Sequence, residues 1–302
     1  MSLIEVAALT VRYGRRTALD GVAFNVPEGA VYALLGRNGA GKSSLVRCLL
    51  GVQRPAAGSV RLLGSDVWTR RASILREVGV VPEEPDAPPA MTVHQIAAFC
   101  ARLYPRWDSA RVDDRLRRFG VPVDVPFGRL SKGQKGQVSL TLALAPEPRL
   151  VILDDPTLGL DPLARRAVFE ELIVDLADRG TTVFLTSHDL AGVEGIADHV
   201  GVLCDGRLVL DEELESLKGR FRRLRVPAGG EDGGDGGLAG LADLAPLRIA
   251  QSGWGTEAVL TRWDEERLEE ISPTLPRGAE VSALTLEEIF LAVVEPVAGE
   301  RP

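Results

Sequence analysis

The sequence predicts an α/β fold. Its parts are a mostly parallel sheet core, an antiparallel N-terminal β subdomain, a helical insertion and a small α/β accessory domain toward the C-terminus. Three observations carry this. From the N-terminus to about residue 215, short apolar runs alternate with helix-spaced segments, the order that buries a parallel sheet between helices. A glycine-rich turn joins one of these runs to a helix. Near residue 228 the composition shifts to Gly with Glu and Asp, which marks a linker.

Leu3–Val11 and Leu19–Val26 read as strands separated by a turn at Tyr13-Gly14-Arg15-Arg16. Ala30–Leu35 is short and apolar, a buried strand, and Lys42–Leu50 follows as a helix. Val78–Val81 is another strand. Between residues 85 and 145, Thr92–Tyr104 and Asp108–Phe119 carry helical spacing, Pro122 and Pro126 interrupt it, and a third helix starts at Ser131. This is the helical insertion. Alternation then resumes through Leu150–Leu153, Pro162–Ala177, Thr182–Thr186, Leu190–Ala197 and Val200–Leu203.

These elements define one domain over residues 1–219 and an accessory domain over 220–302, with a flexible Gly-rich segment at 229–240. In the latter, Leu247–Gln251 and Thr256–Arg262 suit a hairpin around Ser252-Gly253-Trp254-Gly255. Asp264–Ile271 reads as helical, and Thr285 with Glu288 forms a capping box opening Leu286–Val294.

The 302 residues are 45% hydrophobic and 26% charged, ordinary for a globular protein. A formal net charge of -8 gives no electrostatic support to a general nucleic-acid-binding role. Cys48, Cys100 and Cys204 have no CxxC spacing and read as small apolar fillers rather than a zinc site or disulfide framework. The N-terminal residues lack a signal-peptide core, and no apolar stretch approaches the roughly 18 residues a membrane span needs. Any membrane role is expected to come from another chain.

Gly36-Arg37-Asn38-Gly39-Ala40-Gly41-Lys42-Ser43 fits G-x-x-x-x-G-K-[ST] without a mismatch, with Ser44 continuing into the helix. Glycines let successive N–H groups converge on one anion, and the following helix adds its positive end. Lys42 is expected on the β- and γ-phosphates of ATP and the Ser43 hydroxyl on Mg²⁺. A chance match of the four fixed positions arises on the order of once in a hundred such chains.

Leu150–Leu153 ends in Asp154-Asp155. One carboxylate there suits Mg²⁺ and a second suits orienting an attacking water. Twenty residues before this strand end lies Leu130-Ser131-Lys132-Gly133-Gln134. Ser131 and Gln134 form a capping box, and the start of a capped helix is also an anion site.

Taken together, residues 1 to about 215 resemble the nucleotide-binding domain of ABC transporters, a P-loop NTPase fold of ABC type. The stretch Leu130–Gln134 is similar to the LSGGQ signature, with Lys132 in place of the first Gly. Asp154-Asp155-Pro156-Thr157-Leu158-Gly159-Leu160-Asp161-Pro162, and Ser187-His188 after its strand, extend the match.

The resemblance implies roles for the matching residues. Tyr13 stacks on adenine. Glu83 occupies the Q-loop position, near Mg²⁺ and the membrane partner. Asp161 is the D-loop aspartate, while also reading as a helix N-cap. His188 contacts the γ-phosphate. A head-to-tail dimer, homodimer in preference to heterodimer, places each ATP between one phosphate loop and the partner subunit's signature, here Ser131 and Gly133. Mg²⁺ is assigned to Ser43, Glu83 and Asp154.

Two positions depart from the family pattern. Asp155 stands where Glu is usual, retracting the carboxylate by on the order of 1 Å. Glu83 stands where Gln is usual, adding a negative charge. Both point to slow hydrolysis.

Tyr104-Pro105-Arg106-Trp107-Asp108 and the ending Leu284–Phe290 resemble ATPase subunits of bacterial ABC-2-type exporters, which implies a separate membrane-spanning subunit, peripheral attachment at the inner face of the membrane and no nucleic acid. The alternatives are a nucleotide-gated regulatory module that hardly hydrolyses and a soluble ABC ATPase unrelated to transport.

Overall fold

The computed structural model describes residues 1–157, 160–227, 246–253, 255–263 and 278–295. The chain forms two compact units, cut between Asp211 and Glu212, where the sequence alone puts the division at 219/220.

The first unit opens with β1 (Ser2–Tyr13) and β2 (Arg16–Pro27), paired antiparallel with Tyr13 opposite Arg16. Then come β3 (Val31–Leu35), α1 (Lys42–Leu49), β4 (Ala57–Leu62), β5 (Ser65–Asp66), α2 (Arg71–Ile74) and β6 (Val78–Val81). The helical insertion holds α3 (Val93–Ala101), α4 (Ser109–Arg118) and α5 (Lys132–Leu144). β7 (Leu150–Asp154), α6 (Pro162–Arg179), β8 (Thr182–Ser187), α7 (Leu190–Glu194), β9 (His199–Cys204) and β10 (Arg207–Glu213), whose last two residues fall past the cut, complete it.

Burial pattern sorts these strands into two sheets. Along β2, Leu19, Val22, Phe24 and Val26 are buried while residues between them are exposed, the pattern of a sheet with one wet face. It belongs to the antiparallel sheet β2-β1-β4-β5. β3 and β8 are instead buried at every residue, as strands covered on both faces must be. They sit in the second sheet, ordered β10-β9-β3-β8-β7-β6, with β9, β3, β8, β7 and β6 mutually parallel.

Local chemistry sets the helix ends. Thr92 and Gln95 make a reciprocal capping box at the start of α3. α3 stops at Ala101 rather than Tyr104, because Tyr104 precedes Pro105, and a residue before proline avoids helical geometry. α7 ends at Glu194 rather than Ala197, with Gly195 as its C-cap. The insertion has its own apolar core of Val93, Ile96, Val112, Leu116, Phe127, Leu130 and Val138.

The second unit contains α8 (Leu214–Arg220), β11 (Arg222–Pro227), β12 (Pro246–Ser252), β13 (Gly255–Leu260), β14 (Glu280–Ala283) and α9 (Leu286–Val294). The strands form an antiparallel sheet β12-β13-β11-β14. The expected hairpin is β12–β13, closing with Ser252 opposite Gly255. Thr285 and Glu288 cap α9 reciprocally, and Arg223 Nη2 donates to Glu288 Oε1 at 2.8 Å. The expected linker at 229–240, the helix at 264–271, Leu158, Gly159 and Trp254 lie outside the described residues.

A buried ion pair ties the insertion to α6. Arg115 Nε donates to Glu171 Oε2 at 2.7 Å, and both side chains are almost fully buried. The Arg118 guanidinium approaches the other oxygen of Glu171. Removing one partner of a buried pair costs far more than removing an exposed one. Glu171→Ala is therefore expected to destabilise by about 3 kcal/mol. Glu170→Ala, beside it on the same helix, deletes only an exposed pair with Arg166 and should cost under about 1 kcal/mol. Urea unfolding of the two variants checks the difference.

Candidate active site

Of the residues singled out from the sequence, the phosphate loop, Glu83, Asp154, Asp155 and His188 cluster at the carboxyl ends of β3, β8, β7 and β6. Open α/β sheets bind ligands there, because the strands themselves are covered. In register, Leu35 lies opposite Ser187, Thr186 opposite Asp154, and Leu153 opposite Val81. The segments that follow carry the phosphate loop, His188, Asp155 and Glu83.

The loop 36–41 links β3 to α1. Gly41 has φ 112° and caps the helix, and a Cβ there would stand 2.6 Å from the Ala18 carbonyl oxygen. A Cβ on Gly36 would stand 2.6 Å from the Leu203 carbonyl oxygen. Neither position tolerates a side chain. Ala40 O accepts from Gly206 N at 3.0 Å, which braces the loop from behind. Arg37, Asn38 and Gly39 are exposed.

The first turn of α1 has no side-chain cap and no acidic residue. Its leading N–H groups, which lack intrahelical partners, suit an anion. Lys42 is 8% exposed and folds back over the loop, its Nζ donating to Gly36 O at 2.6 Å and to Arg37 O at 3.4 Å. Burial lowers the pKa of this ammonium, against the opposing pull of Asp155, Asp154 and Glu83. Three carboxylates therefore lie within electrostatic reach of one lysine. Ser43, half-buried, follows in the first turn. Tyr13 Oη reaches Ser44 Oγ at 3.4 Å from the end of β1.

At the end of β7, Asp154 Oδ1 accepts from Thr186 Oγ1 at 2.7 Å. Asp155 adopts φ 50°, a left-handed conformation that a non-glycine residue takes at a cost. Its amide donates to Thr186 O at 3.1 Å and to Thr186 Oγ1 at 3.0 Å. Its Oδ2 lies 3.0 Å from His188 Nε2. Its Oδ1 is buried with no partner among the described residues, an acceptor left open for a water or ligand donor. Burial raises the Asp155 pKa, against His188 and Lys42, while Glu83 adds to the rise.

Among the described residues no group of three or more His, Cys, Asp or Glu is arranged to hold a metal alone. Magnesium does not need one, since it takes one or two carboxylates together with substrate phosphates and water. Asp154, Glu83 and the Ser43 hydroxyl supply hard oxygens of that kind.

Other expected site residues stand apart. Ser131 and Gln134 form their capping box at the start of α5, with Ser131 Oγ accepting from Gln134 N at 3.2 Å and Gln134 Oε1 from Ser131 N at 3.0 Å. Asp161 Oδ1 accepts from Ala164 N at 2.9 Å and caps α6. Within the described residues, no hydrogen bond or ion pair joins Ser131, Gly133, Gln134 or Asp161 to the phosphate loop. Two residues escaped the sequence reading. Arg16, paired with Tyr13 across the β1–β2 turn, brings Nη2 within 3.8 Å of where a Cβ on Gly39 would stand. Thr186 bonds both acidic residues.

A strand, glycine loop and helix with a buried lysine facing paired carboxylates define a P-loop protein that binds nucleoside triphosphates. Residues 19–158 match the ABC transporter family model. The bacitracin transport ATP-binding protein BcrA of Bacillus licheniformis is 33% identical over 225 residues, 74% of this chain and 73% of that one. The ABC transporter ATP-binding protein YtrB of Bacillus subtilis (strain 168) is 26% identical over 290 residues, covering 96% of this chain and 97% of YtrB. A solved structure of the ATP-binding subunit of an ABC transporter superposes with a TM-score of 0.66 at 30% identity, over 72% of this chain and 92% of that one. The chain belongs to the ABC transporter family, as an ATP-binding ATPase subunit. No helix among its described residues is long and apolar enough to cross a membrane.

The raised pKa of Asp155 has a stability consequence. A carboxyl whose folded pKa lies above its unfolded value favours the folded state only while protonated. That contribution is present below the unfolded value near 3.8 and is lost as pH rises through the folded one. Asp155→Asn mimics the protonated form. It should raise the urea midpoint at neutral pH, and the gain should vanish as pH falls toward 3.8. Unfolding curves at several pH values check the sign.

Proposed function

We propose that the chain binds and hydrolyses Mg-ATP in a head-to-tail dimer, a homodimer in preference to a heterodimer, and powers export through a separate membrane-spanning subunit. The observation that carries this reading is the convergence of Lys42, Glu83, Asp154, Asp155 and His188 at four adjacent strand ends. The triphosphate lies on the amides of 36–44 under Lys42, and Tyr13 stacks on the adenine. Ser43, Asp154 and Glu83 hold Mg²⁺, which when bound neutralises phosphate charge. Asp155 directs its open Oδ1 at the attacking water and accepts its proton, and His188 contacts the γ-phosphate while holding Asp155.

Gly133 supports the dimer. A Cβ there would make only ordinary contact, 3.4 Å from a Leu160 methyl. The fold of the single chain has room for a side chain at this position. A partner-bound phosphate approaching the start of α5 accounts for its absence, with Ser131 and Gln134 fixing that helix end and Asp161 beside it. The first turn of α5 carries Lys132 and Lys135 and no acid, which suits an anion. The membrane subunit docks near Glu83 and the helical insertion and holds the chain at the inner face of the membrane. Relatives named for bacitracin transport and Nod factor export favour export.

Lys42→Ala is expected to abolish ATP binding measured by calorimetry while the thermal unfolding profile persists. An Ala variant binding like the parent protein contradicts the reading. The short Asp155 carboxylate, already committed on one oxygen to His188, makes hydrolysis slow, with Glu83 adding repulsion. Asp155→Glu should hydrolyse bound ATP faster in a single turnover, and a slower or unchanged variant removes this explanation.

A further inference from the structure

Thr186 is completely buried near the end of β8, after three residues that are apolar and equally buried, Val183, Phe184 and Leu185. A valine has nearly its shape, so packing alone does not call for a hydroxyl. A buried hydroxyl is costly unless it is bonded. Here both of its functions are used on the acidic pair. It donates to Asp154 Oδ1 at 2.7 Å and accepts from Asp155 N at 3.0 Å. Ladder register makes this possible, since Thr186 is the residue directly opposite Asp154, and a one-residue slip would turn the hydroxyl to the other face. The neighbouring hydroxyl, Ser187, serves elsewhere, accepting from Asp189 N at 2.9 Å.

We propose that Thr186 is the positioning residue for both carboxylates of the site. By occupying Oδ1 of Asp154 it fixes the torsion of that carboxylate and leaves the other oxygen for the magnesium shell. By accepting from the amide of Asp155, which also donates to the Thr186 main-chain carbonyl at 3.1 Å, it adds a side-chain anchor to the left-handed turn that carries the Asp155 carboxylate onto His188. This inference rests on the reading that these strand ends bind Mg-ATP. Residues that orient a metal-binding carboxylate change metal affinity or activity by about 10- to 100-fold when lost.

The test compares Thr186→Val and Thr186→Ser in the full chain with the parent protein. Calorimetry follows ATP binding in EDTA and across a Mg²⁺ titration, and hydrolysis gives kcat and KM. Thr186→Val should bind metal-free ATP within about twofold of the parent, need about tenfold more Mg²⁺ for the same ATP affinity, and lose about tenfold in kcat with KM little changed. Thr186→Ser, which keeps the hydroxyl, should stay within about twofold on every measure. A Val variant matching the parent in Mg²⁺ requirement and kcat overturns the proposal, as does a Ser variant that fails as far as Val. Should Val prevent folding, Thr186→Ala carries the same expectation and the same contrary result. If the parent protein itself binds no ATP, the nucleotide reading fails instead, which keeps the two failures separate.

Discussion

A sheet covered on both faces can offer chemistry only at its strand ends, and this constraint organises the first unit. β3, β7 and β8 bury every residue but Asp154 at the end of β7, so short of that end no side chain along them is free to meet a ligand. Function is displaced to the residues just past each strand. Parallel pairing brings those residues to one edge, and the phosphate loop and both acidic groups meet there although more than a hundred residues separate them. The antiparallel sheet contributes from the side, through the turn that carries Tyr13 and Arg16.

Much of this was legible in the sequence because the signals were local. A continuous apolar run bounded by glycine or acid distinguishes a doubly covered strand from the alternating β1 and β2. The capping boxes at Ser131 and Thr285 are four-residue patterns, and the phosphate loop is a contiguous string of residues. β4 escaped notice because its alternation rests on only Val60 and Leu62 between glycines. The last residues of α3 and α7 were overextended where Pro105 and Gly195 prevail over apolar spacing.

What stayed hidden depended on tertiary register. Nothing near Thr186 in the chain indicates a carboxylate partner 32 residues away, and Arg115 is 56 residues from Glu171. Arg16 looks like an ordinary turn residue until the hairpin is laid over the glycine loop. The left-handed backbone of Asp155 is equally invisible. It bears on chemistry, because it couples the usual charge at that position to a histidine on the adjacent strand end.

The contact between Lys42 and the Gly36 carbonyl has a thermodynamic meaning of its own. The ammonium has a main-chain oxygen ligand at 2.6 Å within its own loop. Capture of the triphosphate is then an exchange of one oxygen for another, not the quenching of a bare cation. A buried ammonium bonded in this way escapes the penalty of an unsolvated charge, and the enthalpy released when a triphosphate oxygen takes that place is correspondingly damped.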